Sequence, residues 1–421
     1  MLRYMRIILL VFLFVSFIAV TLSVQVCLAE EPSLDWTYAT NTFVSASPVY
    51  QANMLYLGAQ DGKVYAIFTL YGTKQWTFPN NTTSSPIKES PILSNHVIYF
   101  GDDSGTMYAV DSLNHNELWR YQADSAIDST PTIYNGVLFF GTDSGKVYAL
   151  TADEGKAQWN FTAGGWISDG IEARDNNIFF GSQDGNLYSV AIYTGKQNWK
   201  TNLGSRVNAP VIDGDYLYVG TQDGYVHAVS ISTGVEHWKS QTGGAIHSKP
   251  LVQLGTVFVG SDDGNVYALN ETTGALLWKF PAGAAVSGTP GFASGVLYIG
   301  SSDGNVYAVD AKLGMLYWKY NASDEVDATP VVGNGHLYFI TLHGVVNSLT
   351  LPKTLVMSTP NSTPNTQTVE TNGTATPAAS PTSTPVPLPS TKQQSPDLPI
   401  LGLFAALLSG AGIARYRRRQ R

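Results

Sequence analysis

Residues 246–280 read IHSKPLVQLGTVFVGSDDGNVYALNETTGALLWKF. Four short apolar runs alternate with turn signals, the pattern of four antiparallel strands. The first lies around Pro250 and Leu251, and a glycine turn at Gly255 leads into Val257 to Gly260. Asp263-Gly264 closes a tight hairpin, because an Asp-Gly pair tolerates the positive φ such a corner requires. The third strand covers Val266 to Leu269, and Thr273-Gly274 turns into a fourth that carries Trp278. The runs are apolar on both alternating sets of positions, so each strand is expected to be covered on both faces.

The unit repeats along the chain. Eight tryptophans, Trp36, Trp76, Trp119, Trp159, Trp199, Trp238, Trp278 and Trp318, follow one another at steps of 40, 43, 40, 40, 39, 40 and 40 residues. Glycines of the hairpin corner keep the same step, from Gly62 through Gly105, Gly145, Gly185, Gly224 and Gly264 to Gly304. A fixed period of about 40 residues marks a repeat architecture. Four-stranded units packed face to face around an axis make a β-propeller.

The ends set the blade count. Trp36 has no repeat before it, and the unit from Pro330 to Leu349 has no tryptophan strand after it. The two pieces complete each other. The expected fold is all-β, an eight-bladed propeller over residues 33–352 whose last blade takes its outer strand from the N-terminal end, which removes the open edge. A seven-bladed ring with stray ends leaves Trp36 unexplained.

Ala268 to Trp278 (ALNETTGALLW), Ala228 to Trp238 (AVSISTGVEHW) and Ala308 to Trp318 (AVDAKLGMLYW) share the outline A-x-D-x-x-T-G-x-x-x-W. This resembles the repeat of the pyrroloquinoline-quinone (PQQ)-like propellers. That family holds quinoprotein alcohol dehydrogenases and a non-enzymatic outer-membrane assembly lipoprotein. The resemblance implies that the eight tryptophans dock neighbouring blades. It also implies that an enzyme of the family needs an adjacent Cys-Cys disulfide and a calcium ion against the quinone. The only cysteine here is Cys27, and the blades lack long insertions. The lipoprotein is therefore the better likeness, and no cofactor is expected.

The flanks have other compositions. Arg3 and Arg6 precede an apolar run from Ile7 to Val26, read as a signal peptide over residues 1–29, with an uncleaved anchor as the alternative. Residues 353–397 are a Ser/Thr/Pro-rich stalk. Residues 398–414 carry no charge and are expected to form a transmembrane helix at the short limit of length. The arginine-rich tail, residues 415–421, then belongs to the cytoplasm, which places the propeller outside the cell. Leu398 to Gly402 (LPILG) approaches a sorting motif with Leu401 where threonine belongs. N-glycosylation sequons occur at Asn80, Asn81, Asn160, Asn270, Asn321, Asn361 and Asn372. Asn80, Asn81, Asn160 and Asn321 are expected in loops between blades.

The formal net charge is −8. Seven of the arginines sit in the leader and tail, which contain no acids, leaving the outer part more acidic still. Such a surface repels phosphate backbones, so nucleic acid is not an expected partner. No metalloprotease, phosphate-loop or dinucleotide motif is correctly placed. Gly141 to Lys146 (GTDSGK) lies in a strand-turn-strand repeat with no helix to follow. The paired aspartates Asp102-Asp103 and Asp262-Asp263 are hairpin corners with too few oxygens for calcium.

Chemistry specific to this chain must lie where the repeats differ. Just before the recurring proline stand Ser45, Lys88, Asp128, Ser168, Asn208, His247, Ser287 and Asp327, with Glu89 and Lys249 beside them. They are expected to ring one channel mouth, as a ligand site or as a solvated rim. Blade 4 departs most. It has Ile171 in place of proline, the off-register Trp166, and Asp169, Glu172, Arg174 and Asp175 nearby. Trp166 is either a binding residue or a packing plug. The candidate partner rim is Lys88, Asp128, Asn208, His247, Asp327, Trp166, Asp169 and Arg174. The leading expectation is a non-enzymatic, surface-anchored module for a protein or glycan partner. A PQQ-dependent oxidoreductase or a structural envelope component is the alternative.

Overall fold

Each 40-residue unit folds as one antiparallel sheet, because its β-branched and aromatic runs are separated by residues that take positive φ. A computed structural model describes residues 31–79 and 85–352. In blade 6 the strands are Leu251–Gln253, Thr256–Gly260, Asn265–Asn270 and Leu276–Pro281, paired in that order. Gly264 turns the central hairpin at φ +80°. Seven such sheets follow in sequence, beginning with Val49–Gln51 in blade 1 and Gly291–Ala293 in blade 7. The eighth joins Val331–Gly333, His336–Ile340 and Val345–Thr350 to the N-terminal strand Ser33–Ala39. The expected eight-bladed ring and its closure are both present.

The apolar residues of strands two and three are buried throughout, and successive sheets share them. One such core joins Phe139, Val147 and Ala149 of blade 3 to Ile178, Phe180 and Tyr188 of blade 4. The tryptophans sit at these seams. Trp159 donates from Nε1 to the Ile192 carbonyl at 2.6 Å, and Trp238 to the Glu271 carbonyl at 2.9 Å. A Cβ on Gly274, which holds φ +70°, would stand 2.6 Å from the Trp238 ring. Only glycine lets the turn lie on the indole there. At the seam of blades 1 and 2 this glycine is replaced by His115, whose ring lies tilted against Trp76 with centroids 4.7 Å apart. Trp278 and Trp318 keep the packing but leave Nε1 buried without a partner among the described residues, and nothing in the repeat accounts for this.

A second device recurs inside the blades. The tyrosine after the hairpin corner donates to the aspartate of the corner, as Tyr188 to Asp184 and Tyr267 to Asp263, both at 2.5 Å. In blade 5 His227 takes the tyrosine's place. Buried, it turns instead to Glu236, with Nδ1 2.7 Å from Oε2.

The two ends of the ring differ in what they carry. The turn between strands one and two is hydrogen bonded to the one between strands three and four, as Thr69 to the Asn53 carbonyl and Glu271 to Gly255. These turns share one end, here the turn end. The central hairpins and the blade-to-blade connections share the other, since Ala123 bonds to Gly105 and Ile127 to Asp102. This is the connector end.

Asn160 and Asn321 belong to the outer strands Ala157–Thr162 and Leu316–Asn321 and not to loops. The outer strand runs past its tryptophan, and both asparagines are exposed on it. Asn80, Asn81, Asn361 and Asn372 lie outside the described residues, as do the leader, stalk, expected membrane span and tail. Among the described residues no helix is long and apolar enough to cross a membrane.

Candidate functional site

Inner strands of all eight blades enter the channel from the connector end, and the residues before them enclose a cavity of about 490 Å3. Hydrogen bonds link blade to blade around its wall. Thr132 donates to the Ile171 carbonyl at 2.6 Å, Thr289 to the Lys249 carbonyl at 2.9 Å, and the Thr329 amide to Ser47 Oγ at 2.9 Å.

The expected rim residues Lys88, Asp128, His247 and Asp327 are engaged by neighbouring side chains. Lys88 Nζ lies 2.9 Å from Asp103 Oδ2 and 3.4 Å from Asp128 Oδ2. His247 Nε2 is 3.0 Å from Asp262 Oδ2, and Asp327 accepts from Ser302 at 3.0 Å. Arg206 reaches Ser168 Oγ at 2.8 Å and Asp169 at 3.6 Å. Asn208 is not on the rim. It is buried and donates to the Ile246 carbonyl of the next connection.

Arg174 is separated from the mouth. The inner strand Glu172–Arg174 carries it toward the turn end, where it pairs with Asp175 at 3.3 Å and donates to the Gly214 carbonyl at 2.5 Å. Its nearness to Asp169 is in sequence only, because an extended strand advances about 3.3 Å per residue. Trp166 remains at the connector end, 52% exposed, with its carbonyl accepting from Gln183.

Inside the mouth stand Glu89, Asp169 and Glu172. Lys249 of blade 6 pairs with Glu172 of blade 4, 77 residues away. Blade 5 contributes only Ala209 to the wall between them, since its connection is one residue short. Glu89 accepts from Thr130 at 3.1 Å. Burial, with Asp169 next in weight, pushes its pKa up to about 8. Burial also raises Asp169, against the pull of Arg206. Asp128 rises to about 6, through burial and then Asp143. Arg206 carried no sequence signal beyond the shortened step from Trp199 to Trp238. The Glu172–Lys249 pair was legible as two charges but not as a contact.

The raised value of Glu89 sets a pH dependence. Its folded pKa exceeds its unfolded one, so the stability tied to the protonated form is present below about 4.5 and lost as pH rises toward 8. Glu89→Gln removes that loss. The variant is expected to gain about 2 kcal/mol over the parent at pH 8, after allowance for water in the channel, and little at pH 4. Urea unfolding at the two pH values measures the difference. Equal gains at both would remove Glu89 ionisation as the cause.

The arrangement offers paired charges at a channel mouth, with the exposed indole of Trp166 at the same end of the ring. Among the described residues no group of three or more His, Cys, Asp or Glu has a geometry suited to a metal. The family model described as "PQQ_2: Outer membrane protein assembly factor BamB" matches the chain over residues 17–201 and 183–371. No curated protein matches it. Among solved structures the chain is similar to the computationally designed Ika8 protein, at 18% identity over 76% of this chain and 100% of that one, with a TM-score of 0.67. It is similar to BamB from Moraxella catarrhalis at 19% identity, over 76% and 100%, with a TM-score of 0.65. It is also similar to the quinohemoprotein alcohol dehydrogenase ADHIIG from Pseudomonas putida HK5 at 16% identity, over 79% and 78%, with a TM-score of 0.63. At these identities the likeness is one of fold.

Proposed function

From the premise that this chain belongs to the outer membrane protein assembly factor BamB family, we propose that it is a non-enzymatic propeller that recognises a protein or glycan partner at its connector end. The observation that carries the reading is Trp166, half exposed beside a mouth whose charges are already paired. A large, partly exposed aromatic ring is a usual anchor of a recognition surface. The flanking sequence supports a surface protein held by the apolar segment 398–414, with the propeller outside the cell. Outer membrane protein assembly, the task in the family's name, is one form that recognition would take.

The channel does not fit PQQ. That quinone is a planar anion with three carboxylates, and the wall offers Glu89, Asp169, Glu172 and Asp327. Lys249 and Arg206 are engaged by Glu172 and Asp169. The cavity lining contains no Trp, Tyr or Phe on which the ring system could lie.

Trp166→Ala tests the reading. Partners captured by crosslinking on intact cells are expected to bind the variant at least about tenfold more weakly, the effect of losing one anchor residue. The unfolding midpoint should not move, because the side chain is only partly buried. Unchanged capture by the variant would assign Trp166 to packing alone.

A further inference from the structure

The exposed apolar side chains of this propeller gather at one end. Leu70, Tyr71, Leu113, Tyr193 and Met315 stand on turns between strands three and four, exposed by 49% or more. Leu254 stands on a turn between strands one and two. Leu118, Leu277 and Leu316 follow on the outer strands where those strands leave the turn end. Only Phe43 and Trp166, of the exposed large apolar residues described, are at the connector end. Scattered surface apolar residues need no explanation, but a set confined to one end of a ring does.

Leu254 supplies a second observation. It holds φ +56°, the left-handed region, and is 69% exposed. The equivalent corners use Asn135, Ser294 and Asn334. A bulky apolar side chain is strained at that backbone angle and gains nothing from packing when exposed. The sequence keeps it at a corner where asparagine suffices elsewhere.

The same end is where the chain enters and leaves. Ser33 pairs with Thr350, and the Leu351 amide donates to the Gly335 carbonyl of a turn at this end. The N-terminal flank and the C-terminal flank, which leads through residues 353–397 to the uncharged run 398–414, thus both leave the propeller at its apolar end.

We propose that the turn end is a membrane-docking face, whose Leu and Tyr tips enter the interfacial layer of a lipid bilayer. Side chains of this kind contribute through apolar area, and this face is not a basic patch. Docking is therefore expected to depend little on salt or on anionic lipid. It would aim the connector end, with Trp166 and the channel mouth, away from the membrane. The inference rests on the membrane attachment proposed above.

The test uses the full chain in neutral phosphatidylcholine nanodiscs holding one copy each, in a Cys27→Ser background. Spin labels are placed singly through Leu113→Cys and Leu254→Cys at the turn end, and Phe43→Cys and Trp166→Cys at the connector end. Labels 113 and 254 are expected to relax several-fold faster with lipid-soluble oxygen than with a water-soluble nickel chelate. Labels 43 and 166 should show the reverse, and about 0.5 M salt, which screens charge attraction, should change neither. All four labels in water on a disc-bound chain would overturn the docking. Protection that appears only with two copies per disc would assign the face to a second copy instead. A chain that leaves the discs would refute the anchor, and the same labels with free vesicles would then decide the docking alone.

Discussion

Deletion of residues 31–39 is expected to cost the propeller its independent stability, although it removes no blade's inner three strands. Ser33–Ala39 pairs with Val345–Thr350 from Ser33↔Thr350 to Ala39↔Val345. Trp36 donates to the Thr69 carbonyl at 2.7 Å and covers Gly72 of blade 1. Trp36 and Tyr38 also pack on the core formed by Leu55, Leu57, Tyr338 and Ile340. At roughly 1 kcal/mol net per backbone hydrogen bond, the ladder alone contributes about 5 kcal/mol, comparable to the whole stability of many domains. The deletion also leaves Val345–Thr350 as a free edge, a template for pairing with another chain. Loss of soluble monomer by sedimentation, with recovery on adding a peptide of residues 31–42, is the expected result. A monomeric product with an unchanged urea midpoint would mean that the ring does not need its closure.

Gly300→Ala is expected to be strongly destabilising although it adds a single methyl group. Gly300 ends the second strand of blade 7, and its φ is not in the left-handed region. The obstacle is space. A Cβ there would lie 2.3 Å from the Val326 carbonyl oxygen and 2.6 Å from Val326 Cγ1. The oxygen belongs to the backbone connection entering blade 8, where the Val326 amide donates to Ser301, so it cannot swing aside. Overpacking of this kind costs about 3 kcal/mol, and more where backbone must move. Gly255→Ala is the contrast, with nothing within 4 Å of its added carbon but a φ of +72°; its cost should stay near 1 kcal/mol. Chemical unfolding of both variants checks the ranking, and a milder Gly300→Ala would show that the connection can yield.

The architecture could be read from the register of tryptophans and corner glycines because each blade must solve the same packing problem with the same residues. Closure was legible for the same reason, as two incomplete units that need each other. The mouth was legible only as a set of unlike residues. Which of them pair depends on the ring bringing blade 4 beside blade 6 across a short blade 5, and on the strand direction that takes Arg174 away from Asp169. Neither follows from spacing along the chain. The exchange of tyrosine for His227 is visible in the repeat, but its partner Glu236 appears only when the third and fourth strands are paired. The one-sided apolar turns were present in the sequence as well. They stayed unread because the period alone does not reveal which turns share an end.

Closure between the first and last strands also imposes an order on biosynthesis. Thr40 meets Gly344 across 304 residues. At about 5 to 20 residues per second, roughly 15 to 60 s separate the making of the two partners. The strand synthesised first must therefore wait, unpaired, while seven blades stack beside it. Its late docking makes the finished ring a clasp that cannot be fastened until Val345–Thr350 has been made. A translation product truncated before Val345, however many blades it contains, emerges with an open seam.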